Sequence, residues 1–84
     1  MGKRNIIGDR VRLARKKAKP QITQLDLAAR LQVEGLRLEQ TAISKIEAGN
    51  REVTDVEVAA IAKVLGVTVG WLFGNSEEGK EQQH

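Results

Sequence analysis

Cysteine and histidine, the side chains most used in nucleophilic, acid–base and metal chemistry, are nearly absent from this chain. Cysteine does not occur, which excludes disulfides, thiolate zinc sites and a Cys nucleophile. The only histidine is His84, the last residue. A His-based zinc site or a Ser-His-Asp triad therefore cannot be assembled inside the fold. What remains is the chemistry of binding. Residues 1–19 hold eight bases (Lys3, Arg4, Arg10, Arg12, Arg15, Lys16, Lys17, Lys19) against the single acid Asp9. Residues 20–51 balance four bases with four acids, and residues 52–84 set two bases against six acids. A basic end on a chain of net charge +3 suits a polyanionic partner as well as it suits a solvated helix face.

These side chains must be carried by helices, because β-alternation is almost lacking. The chain has 84 residues, room for one small domain, with apolar side chains at 40%. Asn5 is expected to cap a first helix over Ile6–Ala18, with Ile7, Val11, Ala14 and Ala18 on one face. Arg10, Arg12, Lys16 and Lys17 take the other face, and Pro20 closes the helix. Thr23-Gln24-Leu25-Asp26 has the spacing of a capping box. It opens a second helix over residues 24–34, whose apolar series is read as Leu25, Ala28, Ala29 and Leu31 or Gln32, with Gly35 as the stop. A third helix is expected over Gln40–Ala48, ended by Gly49, with Ile43 and Ile46 inward. Gln40, Thr41, Ser44, Lys45 and Ala48 then face outward. Thr54-Asp55-Val56-Glu57 is a second capping box and opens a helix over Asp55–Leu65, with Val58, Ile61, Ala62 and Leu65 on one face. Thr68 caps a last short helix over Val69–Phe73. Residues 1–74 are expected to form the domain, and 75–84, lacking apolar content, a disordered acidic tail. No run approaches the roughly 18 apolar residues of a membrane span. No secretory signal is read, and the expected location is cytoplasmic.

This series of helices resembles the lambda-repressor-like (Cro-like, XRE-type) helix-turn-helix family. The resemblance rests on Ile7-Gly8-Asp9-Arg10-Val11, on Ile22-Thr23-Gln24 with Leu27-Ala28, and on Ile43-Ser44-Lys45-Ile46-Glu47-Ala48-Gly49. Ile61-Ala62-Lys63-Val64-Leu65-Gly66-Val67 and Leu72 complete it. It implies an all-α, five-helix DNA-binding domain. The second motif helix, 40–48, would lie in the major groove, and the first would set its N-terminus against the backbone. By resemblance, Gln40, Thr41, Ser44 and Lys45 meet bases. Glutamine can bridge adenine N6 and N7, lysine can donate to guanine, and hydroxyls can donate, accept or touch a thymine methyl. Thr23, Gln24, Asn50 and Arg51 match positions of phosphate contact. Glu47 would repel DNA if it faced solvent, and by resemblance it pairs with Arg15.

The chain departs from the family between the motif helices. Leu31 and Ile43 are 12 positions apart, more than the usual turn of roughly 3–4 residues between the helices needs. The extended turn, Val33 to Glu39, is expected to pack Leu36 and Leu38 beneath it and to bring Arg37 to the backbone. The link Ala18-Lys19-Pro20-Gln21 is also longer than usual. The implied function is sequence-specific binding of double-stranded DNA, as a repressor-like transcriptional regulator. A single module offers few base contacts, so a homodimer on a palindromic site is expected; Trp71, Leu72 and Phe73 are read either as its contact or as the close of the monomer core, with Leu72 assigned to the core and Trp71 left open. No cofactor, metal, small-molecule ligand or catalysis is expected. The alternative is a protein-interaction module of the same fold, such as an antitoxin or anti-repressor. RNA binding is disfavoured by the scarcity of stacking aromatics.

Overall fold

Local chemistry fixes most helix ends. The computed structural model describes residues 2–75, so of the expected tail, 75–84, all but Asn75 lies outside the described residues. Five helices follow one another: α1 (Gly8–Lys17), α2 (Gln24–Val33), α3 (Gln40–Ala48), α4 (Asp55–Leu65) and α5 (Val69–Leu72). No strand occurs among the described residues. Both capping boxes form. The Thr23 hydroxyl accepts from the Asp26 N–H, and the Asp26 carboxylate accepts from the Thr23 N–H. Thr54 and Glu57 repeat the arrangement at α4, and the Thr68 hydroxyl accepts from the Trp71 N–H at α5. Each such cap satisfies backbone donors that a helix start otherwise leaves unpaired.

Expectation and structure differ at three places. First, α1 begins at Gly8 rather than Ile6, and Ile6 is exposed. Asn5 still serves this end, because its Oδ1 accepts from the Ile7 and Gly8 N–H groups. Second, α2 buries Leu27 and Leu31, while Leu25 is 63% exposed and Ala29 is also exposed. The stripe on α2 is therefore 27–31, with the half-buried Ala28 at its edge, because the α2 face that meets α3 and α4 is set by Leu27. Third, α5 ends at Leu72, with Phe73 already outside the helix.

The core is one cluster. Ile7 and Val11 of α1, Leu27 and Leu31 of α2, Ile43 and Ile46 of α3, Ile61 of α4 and Leu72 of α5 are all essentially inaccessible. Leu38 joins it, and Leu36 packs against it, so the long turn between α2 and α3 is anchored from below. α1 and α4 are both central, α1 packing against α3, α4 and α5 and α4 against α1, α2 and α5, while α2 also packs against α3. Among the described residues, no helix is long and apolar enough to cross a membrane.

Candidate nucleic-acid interface

α3 is held from behind and bare in front. Ile43, Ile46 and Glu47 are buried, whereas Gln40, Thr41, Ser44, Lys45 and Ala48 are exposed. Glu47 continues the buried stripe of α3 but is a carboxylate, so it requires partners. Arg15 of α1 provides them as a two-pronged pair, with Nε donating to Oε2 at 2.7 Å and Nη2 to Oε1 at 2.8 Å. The Arg15 Nη1 also donates to the Ile22 carbonyl at 3.0 Å. Hydrogen bonding to Glu47 raises the Arg15 pKa above its ordinary value, against the opposing effect of burial. The pair ties α3 to α1 and to the segment that leads into α2.

Gln24 extends this pair to the surface. Its Nε2 donates to Glu47 Oε1 at 3.1 Å, and its Oε1 accepts from Gln40 Nε2 at 3.3 Å. A polar chain thus runs Arg15–Glu47–Gln24–Gln40, from the core to the first residue of α3. The Gln24 amide is turned toward Glu47 and is only half exposed. Thr23 and Gln24 nevertheless sit at the start of α2, where the capping box engages the Thr23 and Asp26 N–H groups and leaves those of Gln24 and Leu25 as the positive end of the helix, beside the Asp26 carboxylate.

The C-terminal end of α3 rests on α1. Gly8 meets the α3 backbone so closely that an added Cβ would overlap the Ile46 carbonyl oxygen and stand 2.9 Å from that of Glu47. Asn5 Nδ2 donates to the Ile46 carbonyl at 3.0 Å and to the Arg51 carbonyl at 2.9 Å. Gly49 ends the helix at φ 79°, a left-handed conformation that glycine adopts without strain.

The exposed face of α3 meets the α2 start where Gln40 bonds Gln24. A family model described as helix-turn-helix matches residues 11–72. The chain belongs to the helix-turn-helix family. No curated protein and no solved structure shows a significant match. In this helix-turn-helix protein, of the lambda-repressor and Cro-like type, α2 and α3 are the motif helices. Such motifs bind DNA, with the second helix in the major groove.

The remaining expected residues of the helix-turn-helix surface take different positions. Arg37 is exposed on the long turn, beside an open groove of about 530 Å³ lined by Leu25, Ala29, Gln32, Gln40 and Thr41. Asn50 is exposed just past α3. Arg51 is drawn into an ion pair, donating to both carboxylate oxygens of Glu57 at 2.9 and 3.2 Å and to the Glu52 carbonyl. Three contributors escaped the sequence reading. Gly8 carried a signal, since glycine in a first helical turn is a poor helix former and invites a packing explanation. The second use of the Asn5 amide carried none. Arg10, placed above on the solvent face, lies over the Trp71 ring at 4.5 Å and donates to the Trp71 and Gly74 carbonyls. Its helical position borders the buried arc, which puts it within reach of α5. Trp71 is correspondingly half-buried against the core.

Glu57 makes the acid response testable. The Arg51 fork, helped by the Thr54 N–H, holds its pKa below the ordinary glutamate value. A depressed carboxylate contributes stability above its unfolded pKa, and that contribution is lost as pH falls through the folded value. Glu57→Gln should therefore be less stable than the parent at neutral pH. The gap in urea midpoint should close below about pH 4, the ordinary glutamate range. A gap that persists unchanged into acid would show that Glu57 ionisation is not its source.

Proposed function

We propose that the protein is a sequence-specific double-stranded DNA-binding regulator of transcription, repressor-like, and that it acts as a homodimer on a palindromic site. The observation that carries this is the construction of α3. A buried ion pair fixes its back while Thr41, Ser44 and Lys45 are exposed in front beside Gln40, whose amide is steadied by Gln24, in a chain of helix-turn-helix membership. Amide, hydroxyl and ammonium groups at this spacing suit base edges in a major groove. Thr23 and Gln24 would take a phosphate at the α2 start. Arg37 and Asn50 would flank it, and Arg51 retains guanidinium donors beyond those engaged by Glu57. The protein then works by binding rather than catalysis. Dimerisation doubles the few base contacts one module offers.

Selection of duplexes from a random-sequence library tests the proposal. A recovered palindrome supports it, including the dimer, and an unenriched pool overturns it. On the recovered duplex, Gln40→Ala and Lys45→Ala should each weaken binding by about 1–3 kcal/mol and relax preference at a base position. Two variants with unaltered sequence preference would remove these residues from base recognition.

A further inference from the structure

Most of the positive charge in residues 1–19 has no role in the interface just described. Two of the eight bases serve the fold, Arg15 on Glu47 and Arg10 on Trp71. Lys3, Arg4, Arg12, Lys16, Lys17 and Lys19 are exposed and make no ion pair among the described residues. Lys3 and Arg4 stand apart from the rest, because both are fastened to the end of α3.

The fastening leaves their charged ends unused. Arg4 is held by its backbone, whose N–H donates to the Gly49 carbonyl at 2.8 Å. The aliphatic stem of Lys3 lies against Gly49, where an added Cβ would be 2.8 Å from Lys3 Cδ. Asn5 completes the strap through the Ile46 and Arg51 carbonyls. If these residues only capped the helix, the backbone N–H and the Asn5 amide would suffice for the carbonyls, and neither guanidinium nor ammonium would be needed. Of the acids around the α3 exit, Glu47 is engaged with Arg15 and Glu57 with Arg51, while the exposed Glu52 forms no ion pair among the described residues. The strap therefore presents two anchored cations without anionic partners, next to Asn50 and past the last outward residue of α3.

We propose that Lys3 and Arg4 are DNA phosphate contacts, held by the strap so that the footprint continues beyond the C-terminal end of α3. This rests on the DNA-binding function proposed above. Asn5 is then a positioning residue. Anchored charges suit the task, since the strap residues are already ordered before DNA arrives.

Binding of the full chain to a short mixed-sequence duplex, followed by anisotropy across a salt series, tests it. Lys3→Gln/Arg4→Gln keeps the backbone N–H and much of the stem but removes both charges. Each lost phosphate contact lowers the slope of log K against log salt by about 0.9. The double variant should therefore show a slope shallower by about 1.8, so that its affinity deficit shrinks roughly tenfold between about 50 and 200 mM salt. Its thermal melt should match the parent's. Arg30→Gln/Lys63→Gln removes equal charge at the end of α2 opposite its proposed phosphate site and should change the slope by well under one. Lys3→Arg/Arg4→Lys should restore the parent slope. A Lys3→Gln/Arg4→Gln slope equal to the parent's, or to that of the Arg30/Lys63 control, overturns the strap contact alone. A parent that binds no duplex at low salt overturns the DNA-binding function and the strap contact with it.

Discussion

Glu47→Ala should lower stability by about 3–5 kcal/mol, the usual consequence of removing one partner of a buried ion pair. The Arg15 guanidinium would keep its charge in a site where its remaining partner is the Ile22 carbonyl. Gln24 would lose the acceptor for its Nε2 at the same time. Folded domains have only about 5–15 kcal/mol in total. The melting temperature should therefore fall by more than about 10 °C. Replacing both partners by apolar residues, as in Arg15→Met/Glu47→Leu, should recover much of the loss, because no uncompensated charge is left behind. Thermal melts of the single and double variants decide the matter. A Glu47→Ala protein that melts with the parent would mean that the pair contributes nothing to the fold.

Gly8→Ala should also destabilise, and here the sign itself is informative. Helix propensity alone favours alanine over glycine by about 0.8–1.0 kcal/mol. Packing opposes it, because the new methyl would run into the α3 backbone at Ile46 and Glu47. Backbone atoms cannot swing aside as a side-chain tip can. The net effect should lie at the top of the range of about 1–3 kcal/mol typical of overpacked sites. Since the displaced element is α3, DNA affinity should fall even under conditions where the variant is folded. A urea midpoint at or above the parent's would contradict the close approach.

Much of this architecture could be read from the chain because its punctuation is local. Thr23 with Asp26 and Thr54 with Glu57 announce helix starts through bonds made within a few residues. Gly49 and Gly66 mark ends for the same reason. α3 and α4 therefore lie where the pattern puts them. The α2 stripe was harder to read. Leu25, Ala28, Ala29 and Gln32 share a helix face as plausibly as Leu27 and Leu31 do, and only the packing against α3 and α4 chooses between them. The same limit applies to the interface. The outward face of α3 follows from its period, and pairing Arg15 with Glu47 follows from family resemblance. The orientation of the Gln24 amide, the second use of Asn5 and the stacking of Arg10 on Trp71 depend on partners 23 to 61 residues away. No spacing rule reaches that far.

The central position of α1 has a consequence for how the chain is made. Its Arg15 waits for Glu47, 32 residues on, and Arg10 waits for Trp71, 61 residues on. At a synthesis rate of about 5–20 residues per second, the last of these partners follows roughly 3–12 s later. During that interval α3 and then α4 can cover Ile7 and Val11 only in part, and the earliest helix to emerge is the last to be completed. The bases crowded around those two side chains then act as gatekeepers, keeping nascent chains apart by mutual repulsion until α5 arrives.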